Sequence, residues 1–244
     1  MADSPMARSD GLPLGATGLA ALFVTALVTA QLTAAKVLAF ELPVTLPVVG
    51  RSLVLPGAAL AYALTFFASD CYTELYGKRA GQRLVNVAFL MNFVMLGLVY
   101  STILAPAAES SIDPGQFAAV LGASANIVIG SLVAYPISQN WDVLVFHAVR
   151  ERTGEGALWL RNVASTATSQ ALDTVVFVGI AFYLLPRVAG VGPELPVAVV
   201  SGLMIGQYLL KLLIALVDTP FVYLITRAVR ATESGHADRI MGAP

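Results

Sequence analysis

The chain has 244 residues, of which 57% are hydrophobic and only 12% charged, with a net charge of -1. A soluble domain carries about 25% charged residues, so the sequence holds too little charge to coat a water-soluble globule. The near-neutral balance also argues against a nucleic-acid partner, which calls for a basic face. A single cysteine, Cys71, excludes an intrachain disulfide framework. With two histidines, His147 and the tail residue His236, metal ligands are scarce, and neither a metal nor a cofactor is expected.

Residues 1–13 form a polar N-terminal tail containing Asp3, Arg8 and Asp10. The apolar run that follows is longer than the roughly 7–15 residues of a signal-peptide core, so it reads as a spanning helix. Crossing a bilayer takes about 20 mostly apolar residues. Six segments qualify: 14–40, 53–76, 82–105, 117–149, 157–185 and 195–226. The expectation is an all-α polytopic membrane protein. Residues 14–227 form one six-helix transmembrane domain, and residues 228–244 a polar C-terminal tail. The fourth and sixth segments exceed the bilayer requirement and are expected to tilt, kink or project, with Pro136 as a kink.

Between the first two segments, Pro43, Pro47 and Gly50 interrupt the chain. Residues 42–54 alternate weakly around Gly50-Arg51, a pattern compatible with a short hairpin. Gly77 follows Tyr76 as a helix C-cap. Lysine and arginine fall in alternate connections: Lys78, Arg79 and Arg83, then Arg150, Arg152 and Arg161, then Arg227, Arg230 and Arg239. That bias places both termini in the cytoplasm of a six-span protein.

The polar residues inside the segments are patterned. Ser138-Gln139-Asn140-Trp141-Asp142, with Phe146 four residues on, matches Ser169-Gln170-Ala171-Leu172-Asp173 with Phe177 four residues on. Both read S-Q-x-x-D-x-x-x-F. Gln207, Lys211 and Asp218-Thr219 echo the pattern in the last segment. At 100° per residue, Gln139 and Asp142 share one helix face, as do Gln170 and Asp173, and as do Gln207, Lys211 and Asp218. Asn162 and Thr166 extend the stripe of the fifth segment. Counted from the nearest basic residue, Asp70, Asp142, Gln170 and Asp218 lie about 12–14 Å inside the cytoplasmic boundary.

An aspartate or lysine at the bilayer centre costs roughly 2.5–3.5 kcal/mol. These groups must therefore face the bundle interior, a partner or water. One lysine cannot neutralise Asp142, Asp173 and Asp218 together. Some carboxylates must be protonated, or bind a cation or a hydrogen-bond-donating ligand. Amides also serve simply to join helices, and Lys211 can pair with either Asp173 or Asp218. Arg161 reads as an interface anchor. Gly18, Gly57, Gly97, Gly130, Gly179 and Gly202 most simply permit close packing. The sequences H-E-x-x-H, G-x-S-x-G and Walker A do not occur, so the chain is not expected to be an enzyme of those classes.

The run DCYTELYGKR, beginning at Asp70, resembles the D-x-x-x-E-x-Y-G-K signature of the queuosine-precursor transporter family, also called the vitamin uptake transporter family. The runs SQNWDVLVFH, LWLRNVASTATSQALDTVVF and QYLLKLLIALVDTPFVYLITR are similar to its later motifs. The likeness covers most of residues 53–230 and is loose before that. It implies a six-helix importer in the cell membrane for a 7-deazaguanine base, the precursor of queuosine, or of archaeosine in archaea, salvaged for tRNA modification.

The side chains suit such a purine-like base. Its N1 and N2 offer donors to a carboxylate, and its O6 accepts from an amide or lysine. The substrate-binding candidates are Gln139, Asp142, Asn162, Gln170, Asp173, Gln207 and Asp218. Asp70, Glu74 and Lys211 are candidates for gating or proton coupling. The partners implied are the lipid bilayer and a small molecule, with a homo-oligomer left open. Two other readings stand beside this one. The first is a substrate-binding subunit of an ATP-driven importer, and the second a non-transporting intramembrane enzyme or scaffold.

Overall fold

The computed structural model describes residues 13–46, 50–153, 158–190, 192 and 194–241. Helix α1 (Leu14–Thr33) is shorter than the first apolar segment. Residues 37–40, expected in that helix, instead open strand β1 (Val37–Leu46), which pairs antiparallel with β2 (Gly50–Pro56). The hairpin is thus real but longer than residues 42–54, with Val37 opposite Pro56 and Glu41 opposite Ser52. Its register slips between Glu41 and Leu46. Pro43 lies in that interval and has no N–H to give to the ladder. The second helix therefore begins at Ala59, not residue 53.

Helix α2 (Ala59–Tyr76) ends at Gly77, whose φ of +87° is open to glycine and strained for other residues. The Gly77 N–H donates to the Thr73 carbonyl, which makes it the expected C-cap. Helix α3 (Lys78–Leu104) starts at the next residue. A nine-residue helix, α4 (Pro114–Gly122), is capped by Asp113, whose carboxylate accepts from the Gln116 N–H at 2.8 Å. Helix α5 (Ser124–Thr153) follows. The fourth segment thus breaks at Ala123 and runs unbroken through Pro136, the residue expected to kink it.

Helix α6 (Leu158–Val178) widens into a π-helical turn (Gly179–Leu184) and ends in the short α7 (Leu185–Ala189). Pro186 lies just after the wider turn and has no N–H for the regular ladder. Helix α8 (Val197–Met241) has 45 residues. At 1.5 Å per residue it is about 67 Å long, more than twice a bilayer core. Residues 228–241, expected as a polar tail, continue this helix.

Helices α1, α2 and α3 pack together, α5 and α6 form the most extensive helix pair, and α8 touches both α2 and α6. Strand β2 lies on α8, where it fits against glycine. A Cβ on Gly206 would collide with the Val54 carbonyl, and one on Gly202 would come within 3.5 Å of the Val54 side chain. The larger apolar core joins Ala30 of α1 and Ala34 just after it, Ala134 of α5, Phe177 of α6 and Leu203 of α8. A second cluster holds Phe23, Leu27, Ala68 and Ala88, at the α1–α2–α3 contact. Among the expected packing glycines, Gly57 and Gly130 meet close neighbours, whereas Gly18 and Gly97 face open space.

The outside is apolar. Leu90, Phe93, Val94 and Leu98 of α3 and Leu213, Leu216, Val217 and Phe221 of α8 are all exposed. Continuous apolar surfaces of this extent belong against lipid. Five spans among the described residues are long and apolar enough to cross a membrane. They lie at Leu14–Thr33, Lys78–Leu104, Pro114–Thr153, Val163–Ala189 and Val197–Asp218. Helix α2 is not one of them, since Thr65, Ser69, Asp70, Thr73 and Glu74 lower its hydropathy. The chain is a helical, multi-pass membrane protein, with one β-hairpin among the described residues.

Candidate functional site at the α5–α6 crossing

The S-Q-x-x-D repeat folds into a reciprocal contact. Helices α5 and α6 pack so that the serine of each meets the aspartate of the other. Ser138 donates through Oγ to Asp173 Oδ1 at 3.1 Å, and Ser169 donates to Asp142 Oδ1 at 3.1 Å. In each motif serine and aspartate are four residues apart, one helical turn. Two such motifs crossing in opposite directions satisfy each other twice. Each serine Oγ also lies 3.1 Å from a carbonyl three residues back in its own helix, Tyr135 or Thr166. Bonds to an ionised acceptor are the stronger ones.

Helix α8 breaks this local symmetry. Lys211 Nζ lies 2.6 Å from Asp173 Oδ2, with side-chain exposures of 3% and 19%. Of the two partners the sequence offered Lys211, the fold selects Asp173. Both carboxylate oxygens of Asp173 are thereby engaged. The Tyr62 ring of α2 lies beneath the ammonium at 6.0 Å, so this lysine sits at the seam between the α1–α2–α3 group and the α5–α6 pair. Gln207, one turn before Lys211 on α8, is buried, and its Oε1 has no hydrogen-bond partner among the described residues.

The other candidates separate into three places. Asp70 of α2 and Asp218 of α8 are within electrostatic reach of each other, with the buried Cys71 beside them. Glu74 pairs with Arg230 at 3.1 Å, and the same guanidinium donates to the Glu74 carbonyl. Both side chains are more than half or half exposed, 50% for Glu74 and 59% for Arg230. Gln139 is exposed and Gln170 half-buried. Asn162 lies on α6, and its side chain falls outside the described residues. The shared layer expected for Asp70, Asp142, Gln170 and Asp218 thus resolves into an α5–α6 contact and an α2–α8 contact.

Several buried polar contacts were not singled out from sequence. The two serines stand in the repeat but look like ordinary helix residues until the crossing is formed. Arg161, expected at the interface, is 7% exposed, with its guanidinium 5.2 Å from the centre of the Phe146 ring. Gln31 and Asn92 are buried amides on α1 and α3, signalled only by being polar in apolar runs. Phe177, by contrast, is core and packs edge-on against Phe182 at 5.9 Å.

Chemically, the crossing places two carboxylates and two hydroxyls between apolar helices, and α8 adds an ammonium to one of the carboxylates. Such a set can recognise a small polar molecule by hydrogen bonds. Among the described residues no group of His, Cys, Asp and Glu is arranged to hold a metal ion.

Comparison with known proteins places these elements. Residues 56–225, from the end of β2 well into α8, match a family described as "Putative vitamin uptake transporter". The chain is 30% identical over 169 residues to a protein of Bacillus subtilis (strain 168) named "Probable queuosine precursor transporter". The alignment covers 69% of this chain and 70% of that protein. No solved structure matches.

Proposed function

The chain belongs to the vitamin uptake transporter family, and from that membership we propose that it imports a 7-deazaguanine base across the cell membrane. That base would serve as a queuosine or archaeosine precursor for tRNA modification salvage. The observation that carries this reading is the buried α5–α6–α8 polar cluster, lying inside helices whose outer faces suit lipid. Ionisable groups kept within a membrane mark substrate or ion pathways by default. In secondary transporters the substrate lies between helices near mid-membrane. The name of the Bacillus subtilis relative supports the substrate class.

In this reading Asp142, Asp173, Gln170 and Gln207 form the centre of the substrate region. Gln139, Asn162 and Asp218 complete its approaches. Lys211 gates the centre, and Asp70 and Glu74 act nearer the long end of α8. Helix α2 counts as a sixth span although it is less apolar than the rest, because it packs against α1, α3 and α8. Both termini then lie in the cytoplasm, in agreement with the lysine and arginine bias. The protein acts as a carrier and not an enzyme.

The test is uptake of labelled 7-deazaguanine base by cells lacking their own importer and their own synthesis. Saturable uptake above the vector control is expected. Its absence at normal membrane expression would reject the substrate. Asp142→Asn should lower uptake at least tenfold while leaving membrane expression intact. Uptake that survives collapse of the proton gradient yet needs ATP would instead favour a subunit of an ATP-driven importer.

A further inference from the structure

The two aspartates of the repeat occupy equivalent places but not equivalent environments. Asp173 accepts from Ser138 at one oxygen and from the Lys211 ammonium at the other. Asp142 accepts from Ser169 at Oδ1, and among the described residues its Oδ2 has no partner. The Asp173 charge is therefore already balanced, whereas among the described residues no cation pairs with Asp142. A carboxylate has about four acceptor positions, so Asp142 keeps most of its capacity for an incoming donor. Gln207 Oε1, on α8, is a buried acceptor without a partner among the described residues. A buried acceptor left unpaired costs about 1–3 kcal/mol, and a ligand N–H removes that cost.

We propose that the repeat has divided its labour. Asp173 is committed to Lys211 as the positioning element that joins α6 to α8, while Asp142, held by Ser169, is the carboxylate that receives the N–H donors of the ligand. Ser169 and Ser138 become positioning residues with different consequences: Ser169 orients the ligand acceptor, and Ser138 orients the internal ion pair. The ligand class is a heterocycle or amine whose N–H donors Asp142 accepts. An acceptor-only molecule finds no partner there except at a cost to the Lys211–Asp173 pair. The assignment rests on the substrate-site reading above for its ligand half, and on the fold alone for its ion-pair half.

Full-length protein purified in detergent tests both halves. Equilibrium binding of labelled 7-deazaguanine gives affinity, and thermal unfolding gives the midpoint temperature. Asp142→Asn should weaken binding roughly 10- to 100-fold, the loss of a hydrogen bond to a charged group. Ser169→Ala should weaken it about 3- to 10-fold, with recovery in Ser169→Thr, which keeps the hydroxyl. Ser138→Ala should lower the unfolding midpoint and leave affinity within about twofold.

Lys211→Met and Asp173→Asn should each lower the midpoint more than their double variant does. Equal losses of affinity in Ser138→Ala and Ser169→Ala would overturn the division of labour. So would wild-type affinity in Asp142→Asn. Additive midpoints in the Lys211–Asp173 cycle would overturn the ion-pair half. Wild-type protein that binds no 7-deazaguanine would reject the substrate reading and the ligand half with it, while the midpoint cycle still decides the pair.

Discussion

Among the described residues two ion pairs tie α8 to the rest of the molecule, and they differ in everything but charge. Lys211–Asp173 is short, nearly enclosed and backed by a serine hydroxyl, and it joins α8 to α6. Arg230–Glu74 is longer, half in the open, and joins α8 to the end of α2. The difference shows where electrostatics holds this fold. A buried charge that loses its partner has no water to turn to, so the remaining group destabilises the protein. An exposed pair exchanges one partner for solvent at little cost. Along one helix, the pair near the hairpin end lies in the interior, and the pair near the far end lies at the surface.

The largest expected effect breaks the buried pair. Lys211→Met leaves Asp173 enclosed without its counter-charge and should cost about 3–5 kcal/mol, read as a lower midpoint of thermal unfolding. Adding Asp173→Asn should recover a large part of that loss, because the uncompensated charge is gone.

A smaller effect tests the seat of β2 on α8. Gly206→Ala places a methyl against the Val54 carbonyl, five residues before Lys211. Overpacking of this kind costs about 1–3 kcal/mol. An unchanged midpoint in Gly206→Ala would mean that β2 does not seat on α8.

The smallest effect belongs to the exposed pair. Arg230→Gln or Glu74→Gln should cost no more than about 1 kcal/mol, and that cost should vanish near 1 M salt, where the screening length falls to about 3 Å. The buried-pair deficit should persist at the same salt. A salt-insensitive Arg230→Gln deficit would erase the contrast between the two ends of α8.

Much of the architecture was legible without coordinates. Apolar length places the helices, Gly77 marks a turn, and weak alternation around Gly50 marks the hairpin. The errors lie at junctions. Residues 37–40 and 53–56 are apolar enough for a helix, yet they pair with each other across the hairpin, and pairing is a long-range event that a local window does not register. The end of α8 reads as a tail because it is polar, but a helix leaving the membrane needs no apolar face.

The site was legible as residue types and not as contacts. The repeated S-Q-x-x-D pointed to α5 and α6, and depth pointed to one polar layer. Only the packed helices separated Asp70 and Asp218 from the α5–α6 crossing, and only they placed Gln139 on an exposed face.

What the sequence by itself determined is solvent and inventory. A chain with 57% hydrophobic and 12% charged residues must meet lipid, and its few intramembrane charges must turn inward. What the tertiary structure decided is partnership. Lys211 could reach Asp173 or Asp218 from the same helix face, and the crossing angle and spacing of α6 and α8 brought Asp173 within 2.6 Å. Periodicity fixes the face on which a side chain stands, because that depends on its own helix. Which neighbour it meets depends on how helices far apart in sequence pack, and here that packing made two identical motifs unequal.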